Sequence, residues 1–305
     1  LPGVLRHGLP AVSFFGFLSF FLSLSLLIYL LWKLRLWRQQ ADTPHPFNQF
    51  IILILNLLFA DIQQSLAFLL NVQWVAHDMI DVSSPTCFAQ GWFVSTGDLA
   101  SGVWCLAIGL HTFASVLFNR RLSRFGFYAT IVSLWSFIYG CAILSVALYP
   151  KDIYVRAGAW CWVNDQYSDI RLYLHYLWIF IAELGVIIIY LAIFLVLRVR
   201  IRAGFYSETF AKRAKSVAML MAVYPAVYVV CTLPLASART AAMAGRDVSL
   251  AHLVVAGAMI TSNGWLDVLL YAMTRKILIF SDDPPTEDCG IATFQLPWES
   301  TTRFG

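Results

Sequence analysis

Ala11-Val-Ser-Phe-Phe-Gly-Phe-Leu-Ser-Phe-Phe-Leu-Ser-Leu-Ser-Leu-Leu-Ile-Tyr-Leu-Leu-Trp32 decides the environment of this chain. The run contains no charged residue, and about 20 apolar residues are enough to cross a hydrocarbon layer of about 30 Å as a helix. It is too long for the apolar core of a signal peptide, and no small-residue cleavage site follows it. The rest of the chain has the same character. It is 60% hydrophobic and only 12% charged, with mean hydropathy +0.72, where a soluble domain carries about 25% charged residues.

Working outward, six more apolar runs follow. The expected spans are 10–33, 47–75, 88–118, 126–149, 171–198, 213–237 and 250–274. The breaks between them are Pro44 and Pro46, then Ser83-Ser84-Pro85, then Pro150-Lys151-Asp152, then the stretch around Gly245, Arg246 and Asp247. Backbone polar groups in lipid must be satisfied within the chain, so each run is expected to be helical. The fold class is an all-α membrane protein, a seven-transmembrane helix bundle occupying residues 1–280. The tail from 281 to 305, with Asp282-Asp283-Pro284-Pro285, is expected to be a disordered cytoplasmic extension. The start at Leu1 rather than Met reads as a piece of a longer protein.

Lys and Arg alternate in abundance from one connection to the next. Fifteen fall on the connections 1–2, 3–4 and 5–6 and the tail, against six on the opposite side. Basic residues favour the cytoplasmic side of a membrane, which puts the N-terminus outside and the C-terminus in the cytoplasm. The net charge of +4 is therefore a matter of orientation and not of nucleic-acid binding. No internal repeat is visible, which weighs against many transporter folds.

The interruptions within the spans carry the functional information. Cys87 opens span three on the outer side and Cys161 lies in the outer connection between spans four and five. Both thiols face an oxidising compartment, so a disulfide across the top of the bundle is expected, with two unpaired thiols as the alternative. Cys105, Cys141 and Cys231 lie in apolar runs and read as packing residues.

Four acids, Asp61, Asp98, Glu183 and Asp267, lie inside spans. Intramembrane carboxylates are costly and usually face an interior cavity. Asn263, Asp267 and Tyr271 recur every four residues, hence on one helix face. Together with Asn56 and Asp61 of span two they are expected to form a buried polar network, with a sodium ion near Asp61 as a candidate guest; the bland reading is a neutral network that only holds helices together. Asp98, about three turns into span three, suits the floor of an outward-facing pocket. Trp74, His77, Trp92, Trp162, Arg171 and His175 lie toward the outer ends of the same spans and are the remaining ligand candidates, although Trp also collects at membrane interfaces for other reasons. Arg171 and His175 are one turn apart and suit an anionic or hydroxylated ligand. Span six carries Tyr224-Pro225, where a proline removes a backbone hydrogen bond and kinks the helix into a lever. Arg120, Arg121, Arg124, Arg200, Arg202, Lys212, Arg213 and Lys215 would form a cytoplasmic docking surface at its swinging end.

These features resemble the G-protein-coupled receptors. Asn56-Leu-Leu-Phe-Ala-Asp61 resembles their span-two aspartate motif. Asn263 with Asp267-Val-Leu-Leu-Tyr271 resembles the span-seven Asn/Asp-Pro-x-x-Tyr motif, with Val268 in place of proline, and Trp135 fits the usual span-four tryptophan. Asp-Arg-Tyr at the end of span three and Cys-Trp-x-Pro in span six are missing. Tyr224-Pro225-Ala-Val-Tyr228, His111-Thr112-Phe113, Trp160-Cys161-Trp162-Val163 and Arg171-Leu-Tyr-Leu-His175-Tyr176 look instead like the cyclic-AMP-receptor-like and fungal carbon-sensing branch. The resemblance implies a plasma-membrane receptor, not an enzyme, that binds an extracellular ligand and signals to a heterotrimeric G-protein alpha subunit. A fungal or amoebal nutrient or pheromone-like stimulus is implied with it.

Other classes fare worse. A retinal protein needs a lysine in mid-span seven, and the nearest is Lys276 at the end. The histidines are scattered over both faces, which disfavours a zinc hydrolase. An ion-coupled transporter or channel using the buried carboxylates is the alternative.

Overall fold

The computed structural model describes residues 1–40, 48–118, 120–204 and 223–274, without the side chains of residues 40, 224 and 225. Among these, seven helices are long and apolar enough to cross a membrane: Gly3–Gln39, Gln49–His77, Pro85–Phe118, Arg124–Leu148, Asp165–Arg202, Ala226–Met243 and Leu250–Thr274. We call them spans one to seven. Several begin at a polar residue that caps the helix. Asn48 accepts from the backbone of Phe50 and Ile51, Ser123 from Gly126 and Ser249 from His252, satisfying donors that a helix start leaves open.

Spans two and three are the centre of the bundle. They approach closely at Gly97, where even a methyl group would lie 2.4 Å from the backbone nitrogen of Gln64. Spans one and four are peripheral. Phe14, Phe17 and Phe21 of span one and Val132 of span four point outward, as the lipid-facing sides of transmembrane helices should. Span seven breaks at Ser262, between helices Leu250–Thr261 and Asn263–Thr274. Ser19 of span one stitches the break: its hydroxyl donates to the carbonyl of Thr261 and accepts from the backbone N–H of Trp265 at 3.2 Å.

Several features depart from the sequence expectation. Span one is longer at both ends, Gly3–Gln39 against the expected 10–33. Span five starts at Asp165, six residues early, and passes through a π turn at Leu172–Tyr176. Span six continues through Pro234 to Met243, so Arg239 belongs to a helix rather than to the outer connection. The connection between spans four and five contains a β-hairpin that apolar periodicity did not reveal. Strand β1 (Tyr154–Arg156) pairs antiparallel with β2 (Cys161–Val163), with Val155 opposite Trp162. Gly158 turns the hairpin at φ +82°, in the left-handed region that favours glycine.

Candidate functional site

The hairpin closes the bundle at the end where Cys87 lies. The disulfide joins Cys87, at the start of span three, to Cys161 on β2, with an S–S distance of 2.04 Å. Beside it Gln90 acts as a polar hub. Its side-chain oxygen accepts from the indole N–H of Trp74 and from the backbone N–H of Cys161, both at 2.8 Å. Its amide donates to the Ala67 carbonyl and to Asn71, both at 2.9 Å. All three residues of β2 are buried. Trp160, fully buried, packs edge-on against Phe68 at 5.1 Å and against the surface left open by Gly257 of span seven.

Two buried arginines flank the hairpin tryptophans. Arg171 donates through Nε, at 2.9 Å, and through Nη2 to the Val163 carbonyl, and its guanidinium lies 5.1 Å from the Trp162 ring centre. Arg239 stacks between Trp160 and Trp162, at 5.3 and 5.6 Å. Its Nη2 is buried with no hydrogen-bond partner among the described residues. Asp98 of span three attracts Arg239 across the interior and accepts from Gln64 Nε2 at 3.1 Å. His175 is buried at 5.2 Å from the Trp162 ring and 5.0 Å from Tyr176. Beneath this cluster, Asp98, Tyr176, Tyr228 and Thr232 line a cavity of only about 10 Å³. That is room for a single water-sized guest. Thr232 also links span six to span five by donating to Glu183 at 2.7 Å.

Asp98, Arg171, His175 and Trp162 thus come together. Trp74, His77 and Trp92 do not join them. Trp74 is locked against Gln90, so its indole is part of the scaffold. His77 is exposed at the end of span two, held to the Gln73 carbonyl. Trp92 turns toward span four and stacks on Tyr139. Helical phase explains Trp92, which is six residues from Asp98 on span three and so projects from a different face. Arg239 and Trp160 were missed. The sequence did carry a signal for Arg239, since Tyr228, Thr232, Leu235 and Arg239 follow one helical stripe once span six is extended past Pro234.

A second polar cluster lies deeper. Ser101 of span three donates to Asp61 of span two at 3.2 Å. Asn263 of span seven donates to Ser101 at 3.0 Å and to Asp267 at 3.2 Å. Gly264 lets span seven approach here: a methyl group at this position would lie 3.2 Å from the Asp61 Cβ. Tyr271 is buried one turn further along and packs edge-on against Phe50. Asn56 lies outside this cluster. Its oxygen accepts from the Trp135 indole at 2.7 Å and its amide donates to the Ile52 carbonyl, so it ties span two to span four. The five-residue offset to Asp61 is the cause, because it rotates the two side chains well apart around the helix. Ser101, with no charge to advertise it, was the missing member.

At the opposite end of the bundle Arg120, Arg121, Arg124 and Arg202 are exposed, and Arg200 donates to the Leu117 carbonyl at 3.0 Å. Lys212, Arg213, Lys215 and the segment 281–305 lie outside the described residues, as do the side chains of Tyr224 and Pro225.

Residues 209–278 match the family described as G protein-coupled glucose receptor regulating Gpa2, C-terminal part. No curated protein matches the chain. A bundle of seven apolar helices carrying this match is consistent with a receptor that signals through a G protein. It is, more particularly, similar to the fungal carbon-sensing receptors, whose named target Gpa2 is a G-protein alpha subunit.

Proposed function

We propose that this protein is a plasma-membrane receptor for a small hydroxylated molecule, a sugar such as the one in the matched family's description. Its N-terminus lies outside and its basic end lies in the cytoplasm. The orientation is supported by the excess of Lys and Arg on alternate connections and by the disulfide at the opposite end, which suits an oxidising compartment.

One observation carries the ligand reading. The buried Arg239 Nη2 has no hydrogen-bond partner among the described residues, and Asp98, with which Arg239 interacts electrostatically, lines the small cavity beside Tyr176 and Thr232. A buried charged donor without an acceptor is expensive. A hydroxylated guest would satisfy it, offering acceptors to Arg239 and donors to Asp98, while tryptophan faces pack on its C–H surface. The cavity of about 10 Å³ is far too small for a sugar. Entry therefore requires span six, which carries Tyr228, Thr232 and Arg239, to move away from spans three and five. Ligand and rearranged bundle are then linked by differential affinity. The inner end of span six would shift with it, and Arg120, Arg121, Arg124, Arg200, Arg202, Lys212, Arg213 and Lys215 would present the surface that receives the alpha subunit.

We further propose that the deeper cluster holds a sodium ion. Asp61 Oδ2 and Asn263 Oδ1 are buried acceptors without a hydrogen-bond donor among the described residues, and hard cations favour such oxygens.

The test of the receptor reading is nucleotide exchange on a G-protein alpha subunit by the purified protein in nanodiscs, with and without glucose. Sugar-dependent exchange that disappears in Arg239→Gln and Asp98→Asn is the expected result. Ion flux through liposomes with no exchange on any alpha subunit would overturn it.

A further inference from the structure

An elongated apolar groove of about 910 Å³ lies on the side of the bundle between spans three, four and five. It is unrelated to the two polar clusters. Span four leans on span five near the hairpin end, where Phe137 meets Trp178 edge-on at 4.8 Å. Below that contact the two helices part, and the gap is floored by the small side chains of span three, Ala107 and Ala114. On span three the groove extends from Val103 to Phe118, about 22 Å at about 1.5 Å per residue. Its walls are almost wholly apolar, from Leu106 and Leu110 on one side to Ile131 and Leu134 on the other. At one end only, the lining changes to Arg120 and Arg121.

We propose that this groove is a binding site for an anionic phospholipid, one acyl chain lying along spans three and four and the headgroup phosphate held by Arg120 and Arg121. Three features select this occupant. The groove extends about 22 Å along span three, a length that an extended hydrocarbon chain can follow. Its apolar length is closed by a cationic mouth, the polarity order of a lipid with a negative headgroup. Arginine pairs with phosphate in a bidentate fork, a geometry that the hydroxyl of a neutral sterol does not offer. The leaflet that supplies the lipid follows from the orientation proposed above, and the cytoplasmic leaflet is the one rich in anionic lipid. Binding itself does not depend on orientation or on the sugar site.

The consequence is a lipid placed where span three, the floor of the sugar pocket through Asp98, meets the cytoplasmic docking surface. The test is native mass spectrometry of the detergent-purified protein incubated with phosphatidylinositol 4-phosphate or with phosphatidylcholine of the same acyl chains. The expected result is retention of the anionic lipid about thirtyfold above the neutral one, in line with two cationic contacts at about 1 kcal/mol each. The double variant Arg120→Gln/Arg121→Gln should erase the preference, and Ala114→Phe, which fills the floor, should reduce binding of both lipids. The exposed arginines make the double variant safe for folding, so its result stands even if Ala114→Phe is poorly produced. Equal retention of the two lipids by the unaltered protein, a preference that survives the arginine double variant, or displacement of the phospholipid by sterol would each overturn the proposal. Because these readouts use no sugar and no G protein, failure here would leave the receptor reading intact, and failure of that reading would leave this one standing.

Discussion

The backbone N–H of Cys161 and the side-chain oxygen of Gln90 are hydrogen-bonded at 2.8 Å, immediately beside the covalent link from Cys161 to Cys87. The hairpin is thus tethered twice to the first turns of span three, once by sulfur and once by an amide that also holds Trp74 and Asn71. Replacing Gln90 by Ala would leave the buried Cys161 and Trp74 N–H groups unpaired, at about 1–3 kcal/mol each. Gln90→Ala should therefore lower the melting temperature in detergent although mass spectrometry still finds the disulfide intact. An unchanged melting temperature would show that the disulfide alone positions the hairpin.

Gly97 is a packing requirement. Its Cβ would fall 2.4 Å from Gln64 N and 2.6 Å from Gln64 Cα. Backbone cannot step aside as a flexible side chain can, so Gly97→Ala should destabilise by at least the roughly 1–3 kcal/mol typical of overpacking. Gly140, with nothing within 4 Å of its would-be Cβ, is the matched control. Fluorescence-detected size-exclusion chromatography should show a loss of monodisperse protein for Gly97→Ala and none for Gly140→Ala.

The sodium proposal is checked by cation substitution. At constant ionic strength, sodium should raise the melting temperature above that in choline, and the increment should vanish in Asp61→Asn. Ser101→Ala, which removes the hydroxyl between Asp61 and Asn263, should weaken the sodium effect without abolishing it. Identical melting curves in the two salts would remove the ion from the account.

Tyr154 offers a pH handle on the hairpin. Burial in the protein pushes its phenol up to about 12. A raised acid holds its proton longer in the folded state than in the unfolded one. The native hairpin is then unaffected below about pH 10, the ordinary range of tyrosine, and loses stability as pH climbs from there through 12. Thermal melts across that window should show a decline that Tyr154→Phe reduces. An equal decline in both proteins would assign it to other groups.

Much of this was legible in the sequence because the bilayer imposes simple rules. Apolar length located the spans, since any long run in lipid must be helical. Mid-span acids marked interior faces, since Asp98, Asp61 and Asp267 have no tolerable place among lipid tails. The cysteine pair stood out for the same reason, as the two thiols in polar connections on one side. What stayed hidden were features with no one-dimensional signature. The hairpin strands are three residues each and β2 is entirely buried, so no alternation of polar and apolar residues betrays them. Arg239 fell just beyond the expected end of span six at 237, in a stretch that also carries Gly245, Arg246 and Asp247, yet the helix continues to Met243. Asn56 and Asp61 belong to one motif but to different helix faces.

Sequence by itself determined the solvent, the helices, the two-sided distribution of basic charge and the list of costly buried groups, because hydrophobicity and charge are properties of single residues summed along a chain. Only tertiary structure decided which of those groups meet. It sorted the six tryptophan, histidine and arginine candidates other than Asp98 into three that share the Asp98 cluster and three that do not, added Arg239 from span six, and inserted Ser101 between Asp61 and Asn263. It also opened the groove that ends at Arg120 and Arg121. Those are matters of helix rotation and of the distance between helices, which depend on packing against partners far away in the chain.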